Sequence, residues 1–252
     1  RGLRISYGGT NSHLGNVDCR TIKGPDGTTL SGDMAARILD VAGIVLNRNT
    51  IPGDKTALNA NGIRYGTPWL TQRGFTEADM LLLGDIMADI LFAITPYTVD
   101  FRKGPSPRAK IDFEVLEKAK IKLRDLADKA GVDVPFNRSG YPHYYHLDDK
   151  SASTGKYTAL EMRGERIRHF VDYCFSSDAE NLEIGREQPT KLHTPIKTIT
   201  GSLTRSGKDS YRFNFPTEDF GLAATFLRAL SDGYISFGDD LPARIPGPII
   251  IE

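Results

Sequence analysis

Cysteine is almost missing from this chain: 252 residues contain two, Cys19 and Cys174. They lie far apart and without metal-type spacing, so neither a disulfide framework nor a zinc site organises the fold, no metal is expected, and a reducing, cytoplasmic setting is. An excess of charge of either sign is also missing. Thirty-two basic and 32 acidic side chains cancel, which leaves no overall field to draw the chain to nucleic acid or to an acidic membrane surface. Long apolar runs are absent as well. The richest one, about residues 80–94, is interrupted by Gly84, Asp85 and Asp89 and is too short and too polar to span a membrane. No signal peptide is recognisable, and a chain that opens on Arg1 in what reads as strand, turn and strand is expected to be truncated. Small-molecule chemistry or protein contact remains, in a chain long enough for two ordinary domains.

The local patterns divide the chain into two halves. Residues 3–7 and 13–19 are β-favouring around the turn "GGTNS". Ser31 predicts the N-cap of a helix to about Val41, with Met34, Ile38 and Val41 on one face and Gly43 as its stop. "IVLNRNT" reads as a strand. A second helix follows in "FTEADMLLLGDIMADILFAI", capped by Thr76 and ended by Pro96, with Glu77 and Asp79 where the helix dipole favours negative charge. "FRKGPSPRAK" has the composition of a linker. A third helix, about residues 113–130, repeats Leu116, Leu123, Leu126 and Ala130 and closes on Gly131. These signals predict domains at 1–135 and 156–252, joined by a linker over 136–155. The second half reads as strand "YTALEM", a helix near 165–175, strands "PIKTITGSLTR" and "SYRFNF" joined by "SGKD", a helix over 218–231 and strand "YISF". This β-α-β-β-α-β order predicts helices covering one face of a mainly antiparallel sheet.

The stretch "NANGIRYGTPWLTQRGF" sets Arg64 between Gly62 and Gly66. A guanidinium matches a carboxylate with two parallel hydrogen bonds and stays charged at any working pH. In a strand it would face away from Ile63 and Tyr65, and the two glycines would leave space around it. A carboxylate anchor in a cleft and a solvated arginine on an edge strand both satisfy the local pattern.

Taken together, "SYGGTNSHLGNVD", "LSGDMAARILDVAGIVLNRNTIP" and "NGIRYGTPWLTQRGFTEADM" resemble the C-terminal portion of serine hydroxymethyltransferase in motif order and spacing across about residues 1–95. The helix near 113–130 resembles that family's last helix. The resemblance implies an α/β domain of a fold-type I pyridoxal-phosphate enzyme that exchanges serine and tetrahydrofolate for glycine and methylenetetrahydrofolate. It also implies self-association as a homodimer or a tetramer. It places Arg64 at the arginine that grips the substrate carboxylate, and Asn49, in "NRNTIP", at the asparagine used near the folate. An amide can donate to and accept from a pterin edge, and it can equally bond its own turn. "KTALNAN" is one residue shorter than the family's stretch and lacks its proline and phenylalanine. The family's Schiff-base lysine motif, T-x-T-T-H-K, does not occur here. No catalytic residue is therefore expected in this chain, which alone should bind pyridoxal phosphate poorly and be inactive.

"LEMRGERIRHFVDYCFSSDAENLEIGREQPT" is similar to the opening of the folate-binding domain of the aminomethyltransferase (T-protein) family, through Gly164, Phe170, Val171, Ser177, Asp178, Leu182 and Gly185. This resemblance implies a partial α+β domain. Where that family carries acids on its next strand, this chain has Thr198 and Thr200, which cannot act as a carboxylate base. The half therefore reads as a non-catalytic, folate-handling or accessory module. His13 is expected at a strand edge, bonded to backbone, and His169 and His193 at the surface. His143 and His146, among tyrosines in "YPHYYH", are expected in an aromatic strip packed on the preceding helix. "YGGTNS" lacks the lysine of a phosphate loop and reads as a turn.

Overall fold

The computed structural model describes residues 1–101, 104–131, 143, 145–149, 153–238 and 247–252. The chain divides into two compact units, Arg1–Tyr141 with Ile235–Ala243, and Pro142–Tyr234 with Arg244–Glu252. Most of the expected 136–155 linker lies outside the described residues.

In the first unit, β1 (Arg4–Ile5), β2 (Leu14–Asp18), β3 (Asn47–Asn49) and β4 (Gly62–Gly66) make an antiparallel sheet in the order β1-β2-β4-β3. Ile5, Val17 and Ile63 are paired in register and share one face. Helix α1 (Gly32–Ala42) packs on β3 and β4 on that side, where Arg48 of β3 reaches its Asp33 at 3.0 Å. The helix starts as its sequence dictates: Ser31 Oγ accepts from Met34 N, and Gly43 at φ 102° ends it in the left-handed region open to glycine. After the short α2 (Pro68–Gln72), α3 (Glu77–Ala93) opens on a reciprocal capping box between Thr76 and Asp79. Helix α4 (Phe113–Lys129) is capped by Asp112, and its Lys129 returns to Asp79 with Nζ 2.7 Å from Oδ1.

The stretch expected as a linker is a β-hairpin. Strands β5 (Ile94–Phe101) and β6 (Gly104–Ile111) pair antiparallel along their whole length, and α3 ends before Pro96. Three prolines fit because of their register. Pro96 opposes Ala109, Pro107 opposes Thr98 and Pro105 opposes Asp100, so all three fall in one class of the alternating pairs. Thr98 N donates outward, to Asp26 Oδ2 at 3.1 Å, which shows that this class turns its N–H groups away from the partner strand. A missing N–H therefore removes no bond from the ladder.

The second unit contains β7 (Tyr157–Arg163), α5 (Ile167–Cys174), β8 (Glu187–His193), β9 (Thr198–Gly207), β10 (Ser210–Pro216) and α6 (Phe220–Ser231). The short β11 (Ile235–Ser236), expected to close this unit's motif, instead runs parallel to β6 in the first unit. β12 (Ile250–Ile251) joins β7, giving an antiparallel sheet in the order β12-β7-β10-β9-β8. Alternation is clear: Leu160, Met162, Ile199, Leu203, Tyr211, Phe213 and Phe215 are buried, whereas Thr198, Thr200 and Arg212 are exposed. Gly201 is needed because a Cβ there would lie 2.7 Å from the Phe213 ring. Both cysteines are free and buried. Burial, and then the charge of Asp18, push the Cys19 thiol up to about 12, and burial raises that of Cys174.

The Lys129 ammonium, then the Thr76 bonds, hold the Asp79 carboxyl down at about 2. Thr76→Ala should destabilise the first unit by about 1 kcal/mol in a denaturant titration. Asp79 is depressed relative to an unfolded value of about 4, so its contribution is whole above that pH and is lost as pH falls through about 2. The stability gap between native chain and Asp79→Asn should accordingly be largest near neutrality and close between those pH values.

Candidate functional site

Strand register defines the surroundings of Arg64. It opposes Asn16 of β2 on one side and Asn47 of β3 on the other, so the three side chains form one row across the sheet. The adjacent row on the same face contains Arg4, Asp18, Gly62 and Asn49. Arg64 and Asn49, far apart in kind but close in register, are thus brought to one face, and Ile63 points to the other. Arg64 is exposed and makes no hydrogen bond or ion pair among the described residues. Asn49 is half-buried, and its Nδ2 donates to Thr50 O at 2.8 Å. Its turn-bonding role is therefore formed here.

Asp18 is the buried charge of this face. Arg20 clasps it through Nε at 2.9 Å and Nη2 at 2.8 Å, and Arg4 approaches to 3.4 Å. The Arg20 bonds, working against burial, hold its carboxyl below the usual range. Asp54 secures the loop before β4 by accepting from Ile51 N, Asn61 N and Asn61 Nδ2. Burial alone would raise its pKa, and the Asn61 bonds outweigh it.

The glycines beside Arg64 do not open space for a ligand. A Cβ on Gly62 would lie 2.3 Å from the Ile51 methyl and 2.9 Å from Asn49 O, and one on Gly66 would lie 3.0 Å from Leu14. The chain's own neighbours occupy that room. On the opposite face Tyr65 folds over Gly15, whose Cβ would lie 2.3 Å from the tyrosine hydroxyl. An apolar cavity of about 510 Å³ opens on that side, between Ile5, Val17, Tyr65, Trp69, Met80 and Leu126; Arg64 does not line it.

His13 is exposed. His169 Nδ1 lies 2.6 Å from Glu180 Oε1, and His193 Nδ1 lies 3.0 Å from Thr198 Oγ1, both at the surface. His143 and His146 are buried. Tyr145 beside them packs edge-on against Phe220 of α6 and under Arg228, on a later helix. Among the described residues no group of His, Cys, Asp and Glu is arranged to hold a metal, and no helix is long and apolar enough to cross a membrane. Reading the sequence residue by residue did not single out Asn16 or Asn47. The period of two through "LGNVD" and "NRN", once aligned on Arg64, is the signal that places them.

The comparisons match this part of the chain. Residues 1–87 fit the family model for serine hydroxymethyltransferase. The serine hydroxymethyltransferase of Rickettsia canadensis is 50% identical over 92 residues, 36% of this chain and 20% of its own length. That of Bombyx mori is 49% identical over 80 residues, 32% of this chain and 16% of its own. A Neurospora crassa relative whose name carries the words serine hydroxymethyltransferase and mitochondrial is 43% identical over 86 residues, 34% and 15%. The chain matches a fifth or less of the length of these relatives.

Gly62→Ala should destabilise the first unit by about 1–3 kcal/mol through overpacking against Ile51, measured by urea unfolding.

Proposed function

We propose that residues 1–135 act as part of a serine/glycine hydroxymethyltransferase, in which Arg64 receives the carboxylate of serine or glycine and Asn49 lies near tetrahydrofolate. One observation carries the reading: within a segment similar to that family, the arginine of its GIR motif stands exposed with all its donors unused among the described residues. A guanidinium already clasped by a structural carboxylate, as Arg20 is by Asp18, has its charge offset and one bidentate edge filled. Two parallel N–H groups fix a carboxylate in plane as well as in place, which sets the orientation of the substituents on the α-carbon. The planar fork, more than the charge, is what the role requires.

Pyridoxal phosphate, which this reading implies, supplies the electron sink for bond cleavage at the α-carbon. The described residues do not fit it. The face around Arg64 carries no lysine, and the buried lysine, Lys120, sits on α4 with its ammonium 3.2 Å from Glu117. In this reading the cofactor is held by other parts of the enzyme, the segment is catalytically incomplete alone, and the complete protein self-associates. Its compartment, cytoplasmic by the cysteine argument, stands beside a relative with a mitochondrial name. We assign residues 156–252 an accessory, non-catalytic role: where the aminomethyltransferase pattern calls for acids, Thr198 and Thr200 stand on the exposed face of β9.

Arg64→Lys in the enzyme that carries this segment should lower kcat/KM for serine on the order of 100-fold, because charge is kept and the fork is lost. Turnover within twofold of native would overturn the carboxylate role. Mixing the 252-residue chain with pyridoxal phosphate should leave the cofactor's visible absorption unchanged. A strong new band would show that this chain holds the cofactor itself.

A further inference from the structure

We propose that Asn16 is a positioning residue for Arg64: its side-chain carbonyl accepts the Nε–H of the guanidinium and so holds the fork of the two Nη groups in one orientation. The identity of the carboxylate presented to that fork rests on the hydroxymethyltransferase reading; the Asn16–Arg64 interaction itself does not.

Two complementary groups on the same sheet face lack partners. Asn16 Oδ1 is buried and accepts no hydrogen bond, while Arg64, directly opposite on β4, has none of its donors engaged among the described residues. The other polar groups of the face are occupied: Asp18 by Arg20 and Arg4, and Asn49 Nδ2 by Thr50 O. Asn47, on the far side of Arg64, is exposed, so water satisfies it. Water does not reach Asn16 Oδ1. An acceptor out of contact with solvent is disfavoured unless a donor comes to it, and directly opposed residues in a sheet have their Cβ atoms about 4.5–5.5 Å apart, which an arginine stem spans by a change of rotamer.

The stoichiometry of donors suits this role. A guanidinium has five N–H groups, of which a carboxylate takes two; one given to Asn16 does not compete with ligand. A neutral amide is also the right acceptor. A carboxylate at position 16 would pair with the arginine outright, as Asp18 does with Arg20.

The test reads the arginine directly. In the 15N-labelled full chain, the Arg64 Nε–Hε resonance is assigned by its disappearance in Arg64→Lys, and its exchange with water is compared with that of Arg186, whose side chain is 76% exposed and whose Nε lies 3.9 Å from Glu183 Oε2, beyond hydrogen-bond reach. Arg64 should exchange roughly tenfold more slowly than Arg186. Asn16→Leu should bring it up to the Arg186 rate, and Asn16→Asp, which keeps an acceptor, should leave it slow. Equal rates in the native chain overturn the proposal, and that comparison stands even if a variant does not fold. Slow exchange that survives in Asn16→Leu overturns it as well. Failure of the hydroxymethyltransferase reading appears elsewhere, as native serine turnover in Arg64→Lys, so the two outcomes are distinguishable.

Discussion

The close approach of α1 to β4 is the constraint on which the first unit depends. Gly32 N donates to Ala60 O at 2.9 Å, and a Cβ on Gly32 would lie 2.2 Å from Gly62 O, so backbone meets backbone where the helix begins. Gly62 is pressed on its other side by Ile51. These contacts fix the height and direction of β4, and with them the alternation that buries Ile63 and turns Arg64 outward. Side-chain orientation at the candidate site is therefore set by glycines two and thirty-two residues earlier in the chain. Beyond its place in the ladder, Arg64 gives the fold no side-chain hydrogen bond or ion pair among the described residues, which is the condition under which a cation is free to serve a ligand.

How much of this was legible in the sequence depended on whether the signal was local. Ser31, Gly43, Thr76, Asp79 and Asp112 act within a turn of their own position, and the helices they bound stand where such residues put them. Prolines 105 and 107 misled because their meaning is set by pairing class, which only the partner strand reveals. The same limit hid the partner of β11: "YISF" reads as a strand, but nothing in it shows that it pairs with one more than a hundred positions earlier. At the site, "GIR" marked Arg64, but the purpose of its glycines was misjudged. Room beside a glycine looks alike in sequence whether a ligand fills it or Ile51 does.

The two units handle polarity in different ways. In the second, the exposed sheet face carries neutral hydroxyls together with an ion pair of Glu161 and Arg212, and the buried Tyr211 donates to Ala179 O at 3.0 Å. In the first, among the described residues, the exposed face keeps Arg64 and Asn16 Oδ1 without bonds beside a fully satisfied Asp18 cluster. Within the segment that matches the transferase family, Asn16 Oδ1 and the Arg64 donors lack bonds among the described residues, and folding energetics alone supply no reason to leave them so.

The hairpin of β5 and β6 has one more property. Of the groups that β5 turns toward solvent, Pro96 has no N–H to offer and Thr98 has already given its own to Asp26. The turn carrying Asp26 also lies over the strand, close enough that a Cβ on Gly24 would touch Pro96 O. At Pro96 and Thr98 an invading strand would find this margin neither donating nor open. That stretch of the outer edge of β5 is thus guarded against strand-swapped aggregation by a turn from early in the chain.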